Sequence, residues 1–294
     1  MKKRRKRSLV AFDSPWSYDP GTVRIFEPAD GATSAETSRR VQNGEHKTPF
    51  MLETASERQL LFTRSSLQSA MLIDEPDALI CAYTQKMMSF LLFNPDPRHI
   101  VMIGLGGGSL AKFCYRNLRN TRITGVEIDA DVIALREEFL LPPDGERFKV
   151  VHADGARFMS RLDEPVDVVL VDAFDADGIA PSLATSNFYS DASARLDADG
   201  ILVMNLSGER DRYPVHLRRL RHAFGNRLLI LPVASSDNLL VFAFKTELPE
   251  PASGGFDRCA QNLQSQLQLE FPRYLQRLCQ SHELSHDLVS FRED

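Results

Sequence analysis

Long apolar runs are missing from this chain. Its 294 residues are 43% apolar and 26% charged, and charge interrupts every hydrophobic stretch well before the roughly 20 residues a bilayer-crossing helix needs. A membrane protein is therefore not expected. The opening MKKRRKR has the charge of a signal peptide's first region, but SLVAFDSPWSYDP turns polar too soon to follow it with an apolar centre, which argues against export. Cysteine is scarce too. Cys81, Cys114, Cys259 and Cys279 are widely spaced with no C-x-x-C pair, and the seven His lack metal-ligand spacing. Neither a disulfide framework nor a metal centre is expected, and a cytoplasmic setting is. Six of the 35 Lys and Arg sit in the first seven residues, leaving 29 against 40 Asp and Glu. An acidic body argues against a nucleic-acid partner and favours a small cationic ligand.

The chain divides by composition. Residues 1–47 are basic and then polar, with PADGATSAETSRR showing neither helical nor strand period, and read as largely disordered. Residues 48–76 hold three short apolar runs between polar turns, a small antiparallel β unit. From 77 to 248 short Val- and Ile-rich strands alternate with helical patterns: a helix over 77–93, strands near 99–103, 122–127, 148–152, 166–171 and 201–205, and helices between them, one near 131–140. Two last strand patterns, 227–231 and 239–244, fit an antiparallel pair at the sheet end. Residues 249–294 read as a helical extension interrupted at Pro272.

Four of these strands run into a glycine turn or an acid. They read HIVMIG before GLGGGS, ITGVEI ending at Glu127, FKVVH before Asp154-Gly155, and VDVVLV before Asp172. In a parallel sheet, ligands bind beyond the carboxyl ends of the strands, so all four signals fall on one edge. Gly104, Gly106, Gly107 and Gly108 permit a sharp strand-to-helix turn along which backbone amides can approach a ligand. Glu127 lies where a carboxylate can accept from both hydroxyls of a ribose. Asp154-Gly155 can meet the amino edge of an adenine. The fingerprint is not that of a dinucleotide, because Ser109 stands at its last position. Adenosine without a pyrophosphate fits better, as in S-adenosyl sulfonium compounds. The fourth loop, VDAFDADGIAP, places Asp172, Asp175 and Asp177 together. Carboxylates there can hold an ammonium and accept its proton, which an amine of pKa about 10 must lose before it attacks. The plainer alternative is that Asp175 and Asp177 shape a turn and cap a helix.

From about Phe50 to Phe244 the chain resembles the polyamine aminopropyltransferases, the spermidine and spermine synthase family. IGLGGGSL, GVEIDADVI, HADGARFM, VDAFDADGIAP, FYSDASARL and DGILVMNLS carry the likeness. It implies a class I S-adenosylmethionine-type, Rossmann-like doubly wound α/β fold with a small N-terminal antiparallel β unit. It also implies transfer of an aminopropyl group from decarboxylated S-adenosylmethionine to an amine such as putrescine, without a metal, in a homodimer. Carried over, Glu127 binds ribose, Asp154 and Gly155 adenine, Asp172 is the base, and Asp175 and Tyr83 hold the amine.

Several positions depart from the family pattern. Gly107 stands where the family has the Asp that holds the donor's ammonium, Leu72 and Thr84 are matched to family glutamines, Ala234 to a tyrosine, and Asn205 to a frequent glutamine. Without a carboxylate at 107, intact S-adenosylmethionine is not repelled. A methyltransferase and a noncatalytic nucleoside-binding scaffold thus stay open beside the transferase.

Overall fold

The computed structural model describes residues 7–28, 33–46, 48–175, 178–208, 210–234, 236–250 and 255–289, with the side chains of Asp175 and of 281–289 outside that description. In chain order the elements are β1 (Arg7–Asp13), β2 (Thr22–Pro28), α1 (Ser34–Gln42), β3 (Phe50–Glu53), β4 (Glu57–Thr63), β5 (Ser66–Leu72), α2 (Ala82–Met87) with a 3-10 turn over Met88–Leu92, and β6 (His99–Ile103). There follow α3 (Ser109–Asn117), β7 (Arg122–Glu127), α4 (Ala130–Ala134), β8 (Phe148–His152), α5 (Gly155–Arg161), β9 (Val166–Val171), β10 (Phe174–Asp175), β11 (Gly178–Ile179) and α6 (Ser186–Arg195). The chain ends through β12 (Leu196–Leu206), α7 (Tyr213–Phe224), β13 (Leu228–Pro232), β14 (Leu239–Phe244), α8 (Gly255–Leu267) and α9 (Phe271–Val289). They form two compact units, the first of residues 1–80, 105–113 and 129–142, the second of 81–104, 114–128 and 143–294.

In the first unit five antiparallel strands pair in the order β1-β2-β3-β4-β5. This corrects the expectation that 1–47 is largely disordered: β1, β2 and α1 lie within it, while Met1–Lys6 fall outside the described residues. The physical signals were local. Val23 and Ile25 alternate with Arg24 and are fully buried, packing with Trp16, Phe50 and Leu52. Thr33-Ser-Ala-Glu36 is a capping box, in which the Glu36 amide donates to Thr33 Oγ1 (3.3 Å) and the Thr33 amide to Glu36 Oε2 (2.8 Å). The helix expected near 131–140 stops at Ala134, and Leu140 takes a positive φ of 56° ahead of the Pro142-Pro143 pair. Lys112 is buried in this unit and donates to the Phe139 carbonyl at 2.9 Å; burial brings its pKa down to about 8.

The second unit is built on a seven-stranded sheet, β13-β14-β12-β9-β6-β7-β8. β12, β9, β6, β7 and β8 are parallel, and β13 and β14 close one end antiparallel, as their sequence pattern predicts. All of β6 is buried, which is why Ile100–Ile103 reads as an unbroken apolar run rather than an alternating one. Val101, Ile103, Val169, Val171, Leu202 and Met204 pack with Phe188, Tyr189, Leu220 and Phe224 of α6 and α7. Each such side chain contributes about 1.5–3 kcal/mol when fully buried. The helix expected over 77–93 is shorter, α2 and its 3-10 turn only. The C-terminal helix breaks at Gln268, φ 58°, with Pro272 in the first turn of α9 where its missing N–H costs nothing. Among the described residues no helix is long and apolar enough to cross a membrane.

Candidate active site

In the second unit the parallel register aligns the strand ends. Glu127 pairs with His152, Ile103 with Val126 and Val171, and Val171 with Met204. Gly104 and Asp172 follow directly, Asp154 comes two residues after His152, and Asn205 stands beside Met204 near the end of β12, so all four lie along one edge of the sheet. Backbone bonds carry the pairing past the strands: Gly104 N donates to Val126 O (2.9 Å), Asp172 N to Ile103 O (2.9 Å) and Ala153 N to Glu127 O (3.0 Å).

Asp172 is the chemical centre of that edge. Its Oδ1 accepts from Asn205 Nδ2 at 2.9 Å, and the Tyr83 hydroxyl donates to the same carboxylate. Burial pushes its pKa above the usual carboxylate value, and the two donors partly oppose that shift. Tyr83 is pushed well up, by burial first and then by the charge of Asp172, so it stays a donor. α2 starts at Ala82, with Thr84 Oγ1 donating to the Cys81 carbonyl at 2.7 Å, and this places Tyr83 in its first turn. Thr84 is thus spent on the helix start.

The other predicted residues divide by their surroundings. Glu127 is a buried carboxylate, 8% exposed, at the end of β7. Asp154 caps α5, its Oδ1 accepting from the Arg157 amide at 2.8 Å, so half of the carboxylate is already committed. Gly155 is a packing glycine: a Cβ there would run into Ile103 and come within 3.1 Å of Leu183. Gly104, φ 88°, lies under the Asp172 carbonyl. Asp175 pairs with Gly178 in the β10–β11 hairpin, and its side chain, like Asp177, lies outside the described residues.

Within the first unit the rest of the glycine loop is covered. A Cβ on Gly107 would stand 2.8 Å from Ser69 Oγ and 2.9 Å from Phe139 Cδ1, and one on Gly108 2.6 Å from Leu141. Both glycines are buried. The absence of an Asp at 107 has a local cause: Phe139 and Ser69 hold the space. The β5 residues beside the loop are Gln68 and Ser69, whose backbone oxygen and Cβ lie 4.0 and 3.6 Å from a Cβ on Gly106; they, rather than Leu72, are its neighbours.

Two further residues belong to this edge, Asn205, which the family pattern marks only as a departure, and Asn238, which it does not mark at all. Asn205 follows the apolar run Ile201–Met204 as the polar end of a fifth strand, the same signal that marked Glu127 and Asp172. Asn238, between β13 and β14, donates Nδ2 to Asn205 Oδ1 at 2.9 Å. Nothing in its local sequence points to that contact. Ala234 is exposed in the same loop.

A parallel sheet with acids along its carboxyl edge and a glycine turn after its central strand defines a Rossmann-like fold of the class I S-adenosylmethionine type. Comparison with known proteins narrows this. Residues 80–209 match the spermine/spermidine synthase domain. The chain is 35% identical over 232 residues to a polyamine aminopropyltransferase of Chromobacterium violaceum, covering 79% of this chain and 89% of that one. Its fold is similar to a probable spermidine synthase of Corynebacterium glutamicum, with TM-score 0.62 and 18% identity over 74% of this chain and 84% of the other. It is also similar to a spermidine synthase solved with the transition state analogue AdoDATO, with TM-score 0.60 and 16% identity over 96% and 88%. The chain belongs to the polyamine aminopropyltransferase family.

Proposed function

We propose that this protein transfers the aminopropyl group of decarboxylated S-adenosylmethionine to an amine such as putrescine and releases methylthioadenosine. The observation that carries the reading is Asp172, a partly buried carboxylate held by Asn205 and Tyr83 on the ligand edge of a family fold. The amine nitrogen attacks the carbon beside the sulfonium, the C–S bond breaks with its electron pair on sulfur, and the proton lost by the amine goes to Asp172. Burial that raises the carboxylate's proton affinity brings it closer to this task than a solvated aspartate would be. The sulfonium is a good leaving group, so positioning supplies much of the remaining acceleration.

Glu127 has the placement and burial to hold the ribose, and the adenine amino group would meet the part of Asp154 not engaged with α5. For Gly104, Gly106, Gly107, Gly108 and Gly155 the ligand role rests on the motif, and their packing gives each except Gly106 a structural reason as well. Asp175 as an amine ligand, a homodimer and a cytoplasmic setting belong to the same proposal and rest on the family likeness.

The test combines product analysis and calorimetry. With putrescine and decarboxylated donor, spermidine and methylthioadenosine should form in equal amounts. Tighter binding of intact S-adenosylmethionine, with methylated product, would overturn the reading in favour of a methyltransferase, and binding of neither donor would leave a scaffold.

A further inference from the structure

We propose that Asn238 is a positioning residue for Asp172, the end of a one-way relay of donors that runs Ser236, Asn238, Asn205, Asp172. The inference rests on Asp172 as the proton acceptor, and the bonds themselves dictate its direction. An ionised carboxylate only accepts, so Asn205 must turn its NH2 group to Asp172 Oδ1, 2.9 Å away. Its Oδ1 then faces away and needs a donor. Asn238 Nδ2 supplies it at 2.9 Å, which leaves Asn238 Oδ1 to accept from Ser236 Oγ at 2.6 Å.

Each amide is oriented by the one before it. Asn205 is 1% exposed, so water cannot take over the role of Asn238 without opening the site. The loop that carries Asn238 is itself anchored, with Val233 N donating to Asn238 O (3.0 Å) and the Tyr213 hydroxyl to Asp237 O (2.8 Å). Tyr83 faces Asp172 from α2, with Cys81 beside Tyr83. In the loop between β13 and β14, Asp237 pairs with the exposed Arg210.

Asn238→Asp reverses the relay. An aspartate at 238 only accepts, so the Asn205 amide turns its NH2 toward it and presents a carbonyl oxygen to Asp172. Asn238→Leu removes the donor without adding charge. The readout is the carboxyl titration of Asp172 by 13C NMR, assigned as the signal absent in Asp172→Asn, so that it does not depend on turnover. Asn238→Asp should raise the titration midpoint by about one pH unit, the size of one charge-assisted hydrogen bond, and Asn238→Leu by about half of that. The acid limb of kcat/KM should move the same way.

An unmoved midpoint in both variants would overturn the relay. So would a shift in Asn238→Asp alone, since that is the effect of added charge. If Asn238→Asp does not fold, Asn238→Leu and Ser236→Ala read the same midpoint against the same criterion. Full turnover in Asp172→Asn would instead remove the proton-acceptor role, and the NMR midpoints would still decide the relay.

Discussion

The carbonyl oxygen of Asp172 occupies the place where a side chain on Gly104 would begin, well inside the 3.0 Å that real Cβ atoms keep from their neighbours. The first glycine of the loop and the central carboxylate, 68 residues apart in the chain numbering, are thereby packed backbone to backbone. Gly104→Ala meets a clash with main chain, which cannot swing aside, and a φ of 88° that alanine resists. A loss of about 2–4 kcal/mol is expected in denaturant unfolding. A tenfold or larger fall in kcat should accompany it, because Asp172 must shift to make room.

Asp172→Asn should trade activity for stability. Turnover should fall by about 10²–10⁴, the usual worth of a placed general base. The sign of the stability change follows from linkage. The folded state raises this acid's pKa above its ordinary 3.8, so the fold loses stability as pH rises from there through the folded value, and the loss persists at neutral pH. Asparagine is free of it. Thermal unfolding should show the variant melting higher at neutral pH, with the difference closing below about pH 4.

Position 107 can be tested by a double-mutant cycle. The Gly107 backbone does not have a positive φ, so what excludes a side chain is Phe139 and Ser69. Gly107→Asp alone should cost about 2 kcal/mol or more through overpacking and a buried charge. Phe139→Ala alone should cost about 3–5 kcal/mol through its cavity. Their combination should be milder than the sum by at least about 1 kcal/mol, measured by urea unfolding. Simple additivity would show that the two sites do not share space.

His99 makes stability depend on pH at the other end of the sheet. Arg122 NH2 donates to its Nδ1 at 3.0 Å, which fixes the neutral ring with Nε2–H toward Thr124 Oγ1, also 3.0 Å away. Burial, aided by the Arg122 charge, brings its pKa from 6.5 to about 4. The unfolded chain takes up the proton first, so stability is present above 6.5 and is lost as pH falls toward 4, by about 3 kcal/mol in all. His99→Gln should flatten the difference between unfolding midpoints at about pH 7.5 and about pH 5.

What the sequence by itself determined is the sheet and the residues that end its strands. Buried parallel strands are written as apolar runs, and Glu127, Asp154 and Asp172 interrupt those runs at their ends, so a one-dimensional reading finds them. The N-terminal strands are hidden because the third buried position of β2 is the charged Glu27, which leaves the Val23–Ile25 alternation only two apolar residues long. Tertiary structure alone decided the neighbours. Phe139 over Gly107, the Asp172 carbonyl over Gly104 and Asn238 behind Asn205 each join residues more than 30 positions apart. Local sequence sets which strand end a side chain leaves, but the atoms it meets there come from other strands and loops. Steric exclusion and hydrogen-bond direction arise only when those segments pack.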